Sequence, residues 1–176
     1  MKRFEYVMKF TVLSIMAWCA SLYAGVPEQL HYMVSPAGCM PATDRDADNL
    51  RFVNGVWILD SNATSVTAIL MCPINFYGNV GDFNNIQLWY RANAPSPYSI
   101  VRARLMTRNR NAPGSSQLAV VSTENSNDAG YGFVNNNNVG AGPTTGNNFY
   151  LDVLLFRNSI QSPGDVAFIG LAIDIQ

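Results

Sequence analysis

The alternation of apolar and polar residues is what most restricts the fold of this 176-residue chain. From Phe149 onward every second residue, Phe149, Leu151, Val153 and Leu155, belongs to one apolar row. Successive side chains of a strand point to opposite faces, so a strand can bury such a row on one side. A helix cannot, because its faces recur every three to four residues. The same period runs through Val66, Ala68, Leu70 and Cys72, through Val101, Ala103 and Leu105, and through Ile169, Leu171 and Ile173. No stretch carries a convincing amphipathic-helix pattern, and Asn, Gly, Ser and Thr fill the connecting segments.

Seven strands are expected: Leu50–Leu59, Ser65–Cys72, Ile86–Arg91, Tyr98–Thr107, Gln117–Ser122, Asn148–Arg157 and Asp165–Ile175. Turn chemistry separates most of them. Asp60-Ser61-Asn62, Ala94-Pro95-Ser96-Pro97 and Ser162-Pro163-Gly164-Asp165 read as reversals between antiparallel neighbours. The segment from Glu124 to Asn147 is long for a structureless loop, so an extra strand is expected at Tyr131–Val134, with a mobile surface loop as the alternative. Together these features predict an all-β chain forming a single antiparallel β-sandwich, jelly-roll or immunoglobulin-like, with a barrel as the alternative closure.

The first 24 residues follow a different rule. Lys2, Arg3 and Lys9 precede an apolar run from Phe10 to Ala20, and Leu22-Tyr23-Ala24 offers a small-residue cleavage site before Gly25. That is the layout of a secretory signal peptide, with a retained N-terminal anchor as the alternative. Residues 1–24 are therefore expected to be the signal and 25–176 the domain, secreted or periplasmic, without stable membrane insertion after cleavage. Cys19 follows Trp18, a poor context for lipidation, and leaves with the signal. Cys39 and Cys72 remain, and in an oxidising compartment such a pair forms a disulfide.

Charge excludes further classes. Removing Lys2, Arg3, Lys9 and Glu5 from totals of 11 basic and 12 acidic residues leaves eight and eleven, a net charge of −3. All eight are arginines. Nothing in this balance favours nucleic acid or anionic lipid.

Few residues carry chemistry. Asp44, Asp46 and Asp48 alternate as a calcium loop begins, but Asn49 and Gly55 stand where an EF-hand needs Gly and Glu. Only a looser Ca2+ site is left, against a solvated loop, and no other cofactor is implied. His31, the sole histidine, has no Gly-x-Ser-x-Gly elbow to serve. Glu28 and Glu124 lie outside the expected strands, and Asp152, within one, calls for an arginine partner. Asn62-Ala63-Thr64 is a formal glycosylation acceptor.

The aromatics suggest binding. Ile86, Leu88 and Tyr90 share one face of their strand, leaving Trp89 and Arg91 on the other. If the strand Tyr98–Thr107 lies alongside, Arg102 and Arg104 join them. An indole flanked by hydrogen-bonding side chains can cover the apolar face of a pyranose. The alternative places Trp89 in the core, and Trp57 has the same two readings.

Cys39-Met40-Pro41, Gly55-Val56-Trp57, Asp60-Ser61-Asn62-Ala63-Thr64 and Cys72-Pro73-Ile74 form a pattern. It resembles the uncharacterised small secreted β-sandwich proteins of Gram-negative bacteria, in which an early Cys-x-Pro pairs with a Cys-Pro-aliphatic that ends a strand. The resemblance covers Tyr32 to Ile74, with an echo in Val166–Ile173. It implies export, one disulfide and a β-sandwich, and transfers no activity. The relatives carry further cysteines downstream, whereas none follows Cys72 here. The functional expectation is an exported, non-catalytic structural or interaction domain whose partner is a glycan or another extracellular protein. The alternative is a carbohydrate-binding module, with a hydrolase third.

Overall fold

A computed structural model describes residues 30–75, 83–92, 94, 98–109, 114–126, 129–137, 139, 147–158 and 166–175. The expected signal at 1–24, its cleavage site, Glu28 and most of the proline-bearing turns at 94–97 and 162–165 lie outside the described residues.

Eleven strands form among them: β1 Leu30–Val34, β2 Met40–Pro41, β3 Leu50–Val53, β4 Val56–Leu59, β5 Thr67–Ile74, β6 Phe83–Ala92, β7 Ser99–Asn109, β8 Ser116–Ser122, β9 Gly130–Asn136, β10 Asn147–Arg157 and β11 Val166–Ile175. One α-helical turn, α1, spans Asp44–Ala47, and a 3-10 turn spans Pro36–Gly38. The strands make two antiparallel sheets packed as a sandwich. One runs β3-β4-β11-β6-β9, with β1 on the second half of β11. The other runs β2-β5-β10-β7-β8. No helix among the described residues is long and apolar enough to cross a membrane.

The inward rows are those the alternation marks. Ala68, Leu70 and Cys72 of β5, Val101, Ala103 and Leu105 of β7, and Phe149, Leu151, Val153 and Leu155 of β10 face Ile86, Leu88 and Tyr90 of β6 across the core. Burying each large side chain contributes about 1.5–3 kcal/mol. The row on β11 departs from expectation at Ile169. A bulge between Phe168 and Gly170 shifts the register, so Phe168, Leu171 and Ile173 are buried while Ile169 is only half so. One inserted residue reverses the facing of everything before it.

The turns need a larger correction. β4 and β5, β6 and β7, and β10 and β11 are not sheet neighbours, because each pair is split between the two sheets. A turn signal specifies reversal but not which sheet receives the next strand. The connectors between these strands are longer than a two-residue hairpin loop, so they can arch over the core, where the sheets lie about 10 Å apart. The tight hairpin is β3–β4, inside the stretch read as one strand. Asn54 and Gly55 at its tip have φ of 51° and 83°. Both are positive, as a type I′ turn requires, and Asn-Gly supplies them at least cost.

The Cys39–Cys72 disulfide forms, joining the residue before β2 to β5, with both cysteines buried. The double variant Cys39→Ala/Cys72→Ala is expected to lose about 3–4 kcal/mol on the chain-entropy account. A lowered urea midpoint would show it, and an unchanged midpoint would refute that contribution.

Candidate functional site

Strand β9 is built inside out. Its inward positions are Gly130, Gly132 and Val134, and its outward positions are Tyr131, Phe133 and Asn135. A strand contributing to a core places its large residues inward, so this one serves the core poorly. The reason lies in its neighbour. Tyr90 of β6 is 1% exposed and fills the space beneath Gly132, where a Cβ would come within 2.8 Å of the Tyr90 hydroxyl. That hydroxyl hydrogen-bonds the Ser126 hydroxyl at 3.1 Å. The rings of β9 consequently stand in solvent, Tyr131 at 75% and Phe133 at 59% exposure. Two large exposed rings side by side on one strand make this face the candidate contact site.

Two residues of β6 complete the face. Trp89 lies opposite Phe133 in the ladder and is half-buried. A Cβ placed on Gly170 would meet its ring at 4.0 Å, so the indole rests against the β11 backbone and not within the core. Arg91 lies opposite Tyr131. Its guanidinium carbon sits 5.6 Å from the centre of that ring, and Nη1 donates to the Tyr131 hydroxyl at 3.3 Å. The pair is held by a cation–π contact that leaves the outer side of the ring open. Ala167, Gly170 and Ala172 of β11 are buried, with the Val34 carbonyl and Pro36 close over Gly170, so the open part of the face is β9 and the adjoining side of β6, where Gln87 faces Asn135 at the next step. Three rings on adjacent strands, edged by amides and a guanidinium, can stack on apolar faces of a ligand and bond its hydroxyls.

Trp89 and Arg91 thus share an outward face, as the alternation predicts. Arg102 and Arg104 do not join them. They lie on β7 in the opposite sheet, because β6 and β7 are separated by the core. There Arg102 pairs with Glu124 and Arg104 with Asp152, the partnership Asp152 calls for. Trp57 is partly buried against the core, with its Nε1 donating to the Pro36 carbonyl at 2.9 Å and its ring 5.2 Å from Phe52.

The calcium expectation fails on local geometry. Asp44 and Asp46 lie on α1 and Asp48 caps its C-terminus, so residues two apart project in different directions. The Asp46 carboxylate is already committed, accepting from the Thr43 hydroxyl at 2.6 Å and from the Ile69 amide at 2.9 Å. Among the described residues no three His, Cys, Asp or Glu gather as metal ligands. His31 lies on β1 opposite Asp174 in the ladder, with its side chain outside the described set.

Sequence reasoning missed Tyr131 and Phe133. The signal was present in Gly130-Tyr131-Gly132-Phe133, an alternation that assigns glycine to the face expected to be buried.

No family model matches the chain. No curated protein matches it either. Solved structures do. The low-affinity xylan-binding module CBM86 from Roseburia intestinalis superposes with a TM-score of 0.51 at 10% identity, covering 84% of this chain and 96% of that one. The CBM22-1 and GH10 modules of the endo-1,4-beta-D-xylanase 10B from Clostridium thermocellum, complexed with xylohexaose, give 0.52 at 11% identity, covering 84% of this chain and 28% of that one. At such identity the likeness is one of fold: this chain has the β-sandwich architecture found among carbohydrate-binding modules.

Proposed function

We propose that this protein is an exported, non-catalytic glycan-binding module whose contact surface is the outer face of the β3-β4-β11-β6-β9 sheet. One observation carries the reading. β9 turns Tyr131 and Phe133 outward over a glycine-lined inner face, beside an outward Trp89. Positions i and i+2 of a strand are about 6.7 Å apart, so the rings can meet successive sugar units of an extended chain. Arg91, Gln87 and Asn135 supply donors and acceptors for ring hydroxyls. The xylan-binding module of like fold supports the same reading. The signal-like residues 1–24 and the buried disulfide support export. Membership of the small secreted proteins with the Cys-x-Pro and Cys-Pro-aliphatic pattern belongs to the same proposal, since the disulfide joins those two motifs. The pairing of Asp152 and Glu124 with arginines speaks against their acting as a catalytic carboxylate pair.

Affinity electrophoresis through gels containing neutral polysaccharides, xylan first, tests this. Wild type is expected to be retarded. Trp89→Ala and Phe133→Ala should each weaken retention about tenfold, with unchanged circular dichroism and no release of reducing sugar. Absence of retention on every neutral polysaccharide, or variants retarded like wild type, would reject the reading. The other reading, an interaction domain for an extracellular protein, draws on β9 being an edge strand whose outer side meets no strand among the described residues. Binding along that edge would survive Trp89→Ala.

A further inference from the structure

The outer face of the second sheet is organised differently. Its register places Pro73, Tyr150 and Met106 in one row and Met71, Asp152 and Arg104 in the next, with Arg108 beside Asn148 at the end. Here a cleft of about 370 Å³ opens, lined by Met71, Pro73, Arg108, Ser115, Asn148 and Tyr150. Tyr150 is half-buried and gives the floor an aromatic ring, while Met71 and Pro73 give it an apolar wall.

Both faces carry a guanidinium, but that of Arg91 is held against the Tyr131 ring, whereas the one at this cleft is exposed. Arg104 is neutralised by Asp152 and Arg102 by Glu124. Arg108 is exposed and has no ion-pair partner among the described residues. Among the described residues the cleft therefore carries one guanidinium outside any ion pair, on a chain whose net charge is −1. A guanidinium binds a carboxylate through two parallel hydrogen bonds, and a planar ring beside it can lie under a pyranose. A polyphosphate or nucleic acid would demand several cations in a row, and the described lining of the cleft holds one.

We propose that this cleft is a second binding site and that it takes an acidic sugar, the uronate residue of a glycan, with Arg108 on the carboxylate and Tyr150 under the ring. The proposal rests on the glycan reading above but uses the opposite face of the sandwich. Both sites would be available at once, so one molecule would join a neutral chain on one side to an acidic chain on the other.

Titration calorimetry with oligogalacturonate and with its methyl ester tests the assignment on the full secreted chain. The acid is expected to bind and the ester to bind at least about tenfold more weakly, because esterification removes the charge that Arg108 reads. Arg108→Gln should lower affinity for the acid to that for the ester and leave retention on neutral polysaccharide unchanged. Tyr150→Ala should weaken both forms. Trp89→Ala should leave oligogalacturonate binding intact. Equal binding of acid and ester by wild type, or an Arg108→Gln variant that binds the acid like wild type, overturns the proposal. If neutral retention fails while the acid binds through Arg108, the first reading falls and this one stands.

Discussion

Arg157→Ala is expected to destabilise the protein by about 2–4 kcal/mol, among the largest effects of any single substitution outside the disulfide. Arg157 ends the inward row of β10 and is 1% exposed, the largest fully buried side chain among the described residues. Its guanidinium meets backbone carbonyls: Nη1 donates to Ser61 at 3.2 Å and Nη2 to Ala63 at 2.9 Å. Its own amide donates to the Val66 carbonyl at 2.9 Å. One residue thus fastens the connector that crosses from β4 to β5. Truncation leaves the buried Ala63 carbonyl unmet, at about 1–3 kcal/mol, and a cavity besides, while the carbonyl of exposed Ser61 can turn to water and a charge no longer has to be desolvated. Arg157→Met keeps most of the volume and removes the charge, so it should cost less than alanine. Chemical denaturation of both variants measures the order. A loss below about 0.5 kcal/mol for alanine would show that the connector holds without this clamp.

Gly132→Ala should cost about 2–3 kcal/mol, near the upper range for overpacking. The added Cβ would lie 2.8 Å from the Tyr90 hydroxyl, which is buried and tied to Ser126 and cannot swing aside freely. Either Tyr90 leaves its hydrogen bond or β9 lifts from the core. In the second case Tyr131 and Phe133 move with it, so glycan retention should fall together with stability. Tyr90→Phe removes the nearest of the atoms responsible and leaves the ring carbon Cζ at 3.0 Å, so it relieves part of the clash. The double variant Tyr90→Phe/Gly132→Ala should therefore be more stable than the two separate losses imply. A double-mutant cycle measures that coupling, and strict additivity would mean that the contact does not set the glycine requirement.

Much of the fold was legible because a period of two is a strand signature that survives any topology. It gave the inward faces of β5, β7 and β10 and one of the two readings of Trp89, the outward one, while the short strand inside the Asn-rich segment followed from the length of that segment. What alternation does not encode is partnership. It could not tell that β6 and β7 belong to different sheets, and this separated Trp89 and Arg91 from Arg102 and Arg104. Nor does it register an inserted residue, so the bulge at Ile169 went unseen. Asn54-Gly55 spelled the β3–β4 hairpin plainly, and the apolar residues on either side hid it within one long strand. At the site, the ring on β6 could be found from its own strand. Those on β9 required noticing that glycines held the inner positions, which is a statement about a neighbour's bulk.

The chain passes back and forth between the two layers, so the fold is woven more than zipped. β11, the last of the described strands, lies at the centre of its sheet and is hydrogen-bonded to β1, β4 and β6. Contacts that join such distant stretches close late and slowly. A polypeptide delivered from its N-terminus would stay open along its middle until that final strand slots in, much as an arch stands only when its keystone is set.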